Sequence, residues 1–318
     1  MAELHKSFQS PLARPIDSVV LPGDSAVTIA RVELGLTLYL DETLTWAHQG
    51  AARVLQSFLA VVPPDHLSWY STSHMQSWRK LEHDAMSKLV GMVSLGWSDA
   101  TPRHLFEFLV TDDVGCPSSG LRYREIDTSR AGRAGVLEVT LPQEYDPGYL
   151  LPIARAALEA GALWSGIGGY AVRFNHHFKA DAFDVAWAWG RRYVGVDIQD
   201  AEQHAWKCRE GLPGTNWITI LGQSLAGAIG FDPRHAMSHP WNDPSITTEI
   251  ARGNLLIRAG EAPTVGDSHR FDGLDAYREA AGITRNLLAP SPSFLGYFGD
   301  RGCTSAWFRR LVDGGWPE

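Results

Sequence analysis

The stretch TIARVELGLTLYL, residues 28–40, decides the fold. Val32, Leu34, Leu36, Leu38 and Leu40 recur at every second position, the period of a strand that turns one face to a core. Asp41-Glu42 then predicts a helix start, because Ala47, Ala51, Val54, Leu55, Phe58, Leu59 and Val62 follow helical spacing until Pro63-Pro64 ends it. Leu67–Tyr70 reads as a second strand, while Met75–Asp113 is apolar in patches without a clean period. Strands follow at Leu121–Asp127 and Val136–Leu141, joined by a polar, Gly-containing hairpin loop over 128–135. Asp146-Pro147 caps a helix whose face carries Leu150, Ile153, Ala154, Ala157, Leu158 and Gly161. Gly169–Phe174, Trp217–Leu221 and Leu255–Ala259 read as strands; Asp181–Val194, Gly273–Leu288 and Ser305–Val312 read as helices. The pattern predicts an α+β fold: a single large domain over 27–318 with a mixed or antiparallel sheet flanked by helices, in one body or two intimate lobes. Residues 1–26, with prolines at Pro11, Pro15 and Pro22, read as a loosely ordered arm.

Composition narrows the function classes. The chain has 318 residues, 44% hydrophobic and 20% charged, which is ordinary for a folded protein and excludes a disordered one. The net charge of −8, without any Lys/Arg-rich run, makes nucleic acid an unfavourable direct partner. Cys116, Cys208 and Cys303 are sparse and unpaired in spacing, as suits a reducing compartment. No segment reads as a signal peptide or reaches the roughly 20 apolar residues of a membrane span, so the expected address is the cytoplasm and no membrane partner is expected.

The chemistry-bearing residues do not assemble into a known constellation. Gly166-Ile167-Gly168-Gly169 lacks the strand-then-helix context of a dinucleotide loop and reads as a tight helix-to-strand turn. His176-His177 diverge as neighbours do, and His235 and His239 lie between Pro233 and Pro240, so both pairs read as loop or surface histidines rather than metal ligands. Cys116 sits in a loop, and Thr215-Asn216-Trp217 reads as a turn feeding a buried strand. There is no GxSxG nucleophile elbow. No catalytic residue, cofactor or metal is therefore expected. The acidic run Asp181, Asp184, Asp197, Asp200 and Glu202 has two readings, a solvated helix face or a surface aimed at a basic partner.

Several ordered motifs carry a family resemblance. DAFDVAWAWGRRYVGVDIQD (181–200), GLPGTNWITILG (211–222), LLIRAGEAPTVGD (255–267), the strand segments 123–128 and 135–142, and AWFRRLVD (306–313) together resemble the type VI immunity, TsiV-like, family. The resemblance spans about residues 30–315. It implies a protein that protects its producer by binding a cognate effector toxin, without catalysis. With no signal peptide, it points to a toxin dangerous in the cytosol, a nuclease, a nucleotide-consuming enzyme or another cytosolic toxin, rather than a periplasmic wall hydrolase. The family supplies no catalytic residues to carry over. If a toxin-binding surface exists among the acidic residues, it is expected at Asp181, Asp184, Asp197, Asp200 and Glu202. Two other functions remain open: an enzyme that reverses the toxin's effect, built on Gly166–Gly169, His176 and Asn216, or an adaptor for effector loading. The sequence sets no oligomeric state.

Overall fold

The computed structural model describes residues 16–21, 26–41, 49–73, 75–95, 107–125, 132–161, 163–198, 200–270, 273–290, 301–313 and 316. The alternating stretch is the 14-residue strand β2, Val27–Leu40, which β1 (Val19–Leu21) extends as a short antiparallel partner from within the N-terminal segment. Next come α1 (Gln49–Leu59), β3 (Trp69–Thr72), β4 (Arg79–Lys80), α2 (His83–Leu95), β5 (Glu107–Thr111), β6 (Gly120–Arg124) and β7 (Gly135–Leu141). The second half supplies α3 (Leu150–Ala160), β8 (Leu163–Phe174), α4 (Lys179–Arg192), α5 (Ala201–His204), β9 (Ile218–Leu221), α6 (Gln223–Ile229) and α7 (Arg234–Met237). The hairpin β10 (Thr247–Ala251) and β11 (Asn254–Arg258) and the helices α8 (Asp275–Thr284), α9 (Arg301–Phe308) and α10 (Arg310–Asp313) complete it. The expected helix start at Asp41-Glu42 and most of the 128–135 loop lie outside the described residues.

The strands form one antiparallel sheet in the order β10-β11-β9-β8-β2-β7-β6-β5-β3-β4. Among the described strands every ladder is antiparallel, and the two halves form one layer: β2 sits between β7 from the first half and β8 from the second. Directly opposite residues share a face. On one face Leu34, Leu36 and Leu38 align with Leu141, Val139 and Leu137 of β7, and with Tyr170, Gly168 and Gly166 of β8. Helices α1 and α3 pack together over this face, burying Val54, Leu55, Phe58, Ile153, Ala157 and Leu158. The cap read from Asp146-Pro147 is real: the Asp146 carboxylate accepts from the Gly148 N–H at 2.8 Å, and a short 3₁₀ turn leads into α3.

The glycine cluster 166–169 is not a turn. It lies inside β8, and the chain reverses earlier, at Gly161 after α3. Gly169 has φ of +151°, and a Cβ there would collide with the side chain of Asn216. Asn216 is fully buried and its Oδ1 accepts from the Trp217 N–H at 2.7 Å, fixing the corner that leads into β9. A second buried amide, Asn254, uses both ends: Oδ1 accepts from the Leu163 and Gln223 N–H groups at 3.2 and 2.9 Å, and Nδ2 donates to the Leu158 and Gly161 carbonyls at 3.2 and 2.8 Å. It ties the α3–β8 corner to β11 and α6.

At the other end of the chain, Arg310 is a buried clasp. Its Nε donates to the Val194 carbonyl at 2.7 Å, Nη2 to Val196 at 3.3 Å and Nη1 to Trp307 at 3.2 Å, with the guanidinium 4.1 Å above the Trp307 ring. Burial lowers its pKa to about 10, so it stays charged at neutral pH. The 193–198 segment it grips bridges onto β8 through Asp197 and Ala171.

Gly169→Ala forces the Asn216 corner to move against a close-packed core. The expected loss is about 1–3 kcal/mol, read as a lower urea midpoint with an unchanged m-value; an unchanged midpoint would count against the collision.

Candidate functional site

The opposite face of the sheet is polar where the first face is apolar. Register places Glu107, Leu109 and Thr111 of β5 beside Arg124, Arg122 and Gly120 of β6, and Arg122 and Gly120 beside Glu138 and Thr140 of β7. Cross-strand neighbours on one face are close enough for ion pairs, and a lattice results: Arg122 reaches Glu138 at 3.3 Å and Glu107 at 3.5 Å, and Arg124 reaches Glu107 at 3.9 Å. Arg173 of β8 lies flat across β2, where only a glycine leaves room, because a Cβ on Gly35 would meet its guanidinium. Its Nη2 donates to the Val139 carbonyl at 3.0 Å, and Nη1 is 3.7 Å from Glu138.

A four-residue helix, α5, lays one carboxylate onto this lattice. Glu202 receives Arg122 Nη2 at 2.5 Å, Arg124 Nη1 at 2.9 Å and Arg133. Asp200 caps α5, accepting from the Glu202 and Gln203 N–H groups at 3.1 and 3.3 Å and from Lys179 Nζ at 2.5 Å. Beneath it His204 is fully buried, its ring 4.7 Å from that of Tyr39 and neither ring nitrogen hydrogen-bonded. Burial pushes its pKa down to about 3. Glu33, on the same sheet face, accepts from the Gln143 N–H at 2.6 Å, and burial pushes its carboxyl up to about 8.

Beside this lattice opens a cleft of about 380 Å³, with Arg122, Glu138, Thr140, Arg173 and Glu202 among its polar walls and Leu109, Val114, Pro117 and Phe174 among its apolar ones. One rim is the Asp112–Ser119 loop. The Asp112 carboxylate organises it, accepting from the N–H groups of Asp113, Ser118 and Ser119 at 2.9, 3.1 and 3.0 Å and from the Ser118 hydroxyl at 2.5 Å. Cys116 points inward from this loop; its thiol donates to the Arg173 carbonyl at 3.4 Å, and burial raises its pKa to about 12, far from a thiolate nucleophile. Two apolar side chains nearby face solvent: Val114 on the rim, 36% exposed, and Trp206 beyond Glu202, 43% exposed, with Arg133 at 5.5 Å from its ring.

The acidic residues expected to form one surface are divided by the fold. Asp181 and Asp184 are exposed on α4. Asp197 and Asp200 are buried, Asp197 acting electrostatically on Arg310, and Glu202 is held by its guanidiniums. His176 lines the cleft, whereas Asn216 fills the space at Gly169 and is not among the cleft residues, so those three do not converge on a pocket. His235 lies in the short helix α7, and His239 follows it. Among the described residues no group of three or more His, Cys, Asp or Glu is placed to hold a metal ion, and no helix is long and apolar enough to cross a membrane. Sequence reading missed Arg122, Glu138 and Arg173. The signal available was charge at every second position, Arg122 and Arg124 alternating with Leu121 and Tyr123, in strands read only for their apolar face.

The family model described as type VI immunity for VRR-NUC matches residues 51–311. The chain belongs to the TsiV family. Among solved structures it is similar to the Pseudomonas aeruginosa T6SS protein PA0821, with a TM-score of 0.73 at 15% identity, covering 94% of this chain and 89% of that one. At that identity the likeness is one of fold. No curated protein matches the sequence. A TsiV protein is thus built here on a single wide sheet whose apolar face is closed by helices and whose charged face carries the cleft.

Two outcomes test this TsiV site. Glu202→Gln leaves three partly desolvated guanidiniums short of a countercharge, and after discounting for solvent at these half-buried groups the expected loss is about 1–2 kcal/mol. A double-mutant cycle with Arg122→Met should be non-additive; additivity would show that the pair is not coupled. The second concerns pH. His204 is neutral when folded and takes up a proton below its ordinary 6.5 when unfolded, so stability falls as pH drops from 6.5 towards 3, by about 1.4 kcal/mol per unit inside that window. Glu33 slopes the opposite way between 4.5 and 8, and cancels in the difference between variant and wild type. His204→Phe should therefore flatten the acid limb of a urea-midpoint against pH curve; parallel curves would rule out the neutral buried imidazole.

Proposed function

We propose that this TsiV protein binds and neutralises a cognate VRR-NUC toxin in the cytoplasm, by occupying a surface of the toxin and without catalysing a reaction. Membership of the immunity family, through a match over residues 51–311, carries the reading. The local chemistry supports a binding role. Among the groups that could act as base or nucleophile, Glu202 and Asp200 are engaged by cations, Asp112 by its own loop, and Cys116 by burial.

Charge supports the choice of partner. A nuclease neutralises phosphates with Lys and Arg side chains. An inhibitor of net charge −8 meets such a surface with complementary potential, which speeds encounter and disfavours wrong partners. Of the acidic run, Asp181 and Asp184 are the members exposed to make that encounter.

Co-expression of the chain with its cognate VRR-NUC toxin should rescue growth and yield a complex that co-purifies. Asp181→Lys with Asp184→Lys should slow association about tenfold at low salt, with the difference shrinking as ionic strength rises. Rescue without any complex would favour an enzyme that undoes the toxin's effect. No rescue would remove the immunity reading for that toxin.

A further inference from the structure

The cleft on the charged face supplies what a toxin-binding role lacks so far: a place where the partner is gripped. Its walls mix apolar side chains with carboxylates, and the exposed Val114 and Trp206 flank it. Exposed aromatic and apolar anchors beside a desolvated polar floor are the composition of an interface centre rather than of bulk surface.

The charges indicate what enters. Its arginines are already committed: Arg122 to Glu138, Glu107 and Glu202, Arg124 and Arg133 to Glu202, and Arg173 to the Val139 carbonyl and Glu138. Lys179 is likewise committed to Asp200. The carboxylates at the mouth differ. Asp113 is exposed, with its Oδ1 turned to the Gly115 N–H at 2.7 Å. Asp181 and Asp184 stand exposed on the first turns of α4, which begins at Lys179 after the short turn that carries His176, itself a cleft residue. Inside, Glu138 accepts from Arg122 Nη1 at 3.3 Å and lies 3.7 Å from Arg173 Nη1, and a carboxylate can accept more than two donors. Trp78, just before the outermost strand, closes the β3 side of the cleft, and Arg79 and Lys80 on that strand are exposed.

The geometry points to this cleft as the anchoring pocket for a lysine- or arginine-bearing loop of the cognate toxin, with the side-chain stem against Val114, Pro117 and Phe174 and its cationic end towards Glu138. The inference rests on the proposed toxin-binding function and adds the surface and the chemistry of the contact. A long cationic side chain suits such a pocket, because its methylenes bury against apolar walls while its head keeps polar partners.

The test uses the full chain and a catalytically inactive form of the VRR-NUC toxin that co-purifies with it. Val114→Lys places a cation in the mouth from a solvent-facing position, and Glu138→Gln removes the inner charge while keeping the shape. Both should weaken toxin binding at least tenfold by calorimetry. Ile250→Lys, on the same sheet face at the edge strand β10 about 30 Å away, should bind as wild type does. A photo-crosslinking residue at position 114 should capture a toxin peptide carrying Lys or Arg, and replacing that residue by Ala in the toxin should reproduce the tenfold loss. Wild-type affinity in Val114→Lys, or capture of a peptide without a cation, overturns the pocket while leaving the toxin-binding function standing. Failure of the wild-type chain itself to bind the toxin removes both.

Discussion

Everything in this structure depends on the pairing of β2 with β8. These strands meet antiparallel from Ala30 opposite Phe174 to Leu40 opposite Leu163, and at the end of the run Asn175 and Thr28 stand 147 residues apart in the chain. Without that seam the first half would end in an exposed apolar edge at β2, and the second half would present one at β8. With it, the leucines of β2 and the helices α1 and α3 share one core. The charged face is a by-product of the same register. Once Leu34, Leu36 and Leu38 point one way, Gly35 and Thr37 between them, with their β7 partners Thr140 and Glu138, face the other.

That second face shows how a protein keeps charges beneath its surface. Each guanidinium has a carboxylate or carbonyl within reach, and the lattice closes only because α5 arrives with Glu202. The helix is four residues long and too short to be stable alone. It is held from outside by the Asp200 cap and Lys179, and from below by His204 against Tyr39. The cleft beside it is thus bordered by an element with few bonds of its own, on the charged face of the sheet.

Much of the architecture was legible in the sequence, for physical reasons. Alternation over 32–40 survives in a strand whose apolar face is continuous, and Asp146-Pro147 signals a start through local hydrogen bonding alone. Residues 75–113 were not legible, because β4 and β5 are short and are specified by their neighbours rather than by their own pattern. The glycines at 166–169 misled because glycine marks both turns and close approach. Here Gly166 and Gly168 make room for Leu38, Leu36, Ile220 and Ile218, and Gly169 for Asn216. The candidate site was the least legible part. A run of acids in sequence says nothing of which are already paired, and Asp197 and Asp200 turned inward while the cleft drew its walls from β5, β6, β7 and β8. The family itself was readable, since its motifs are core and turn residues that the fold demands.

The buried clasp at Arg310 bears on when the protein becomes competent in the cell. At synthesis rates of about 5–20 residues per second, β2 waits on the order of ten seconds or more for β8 to be made, and the carbonyls of Val194 and Val196 wait longer still for their guanidinium. No early portion of the chain can close the sheet and lock it. The native sheet then lags behind translation of this message by the time needed to finish it, and any function that needs that sheet begins only with the complete chain.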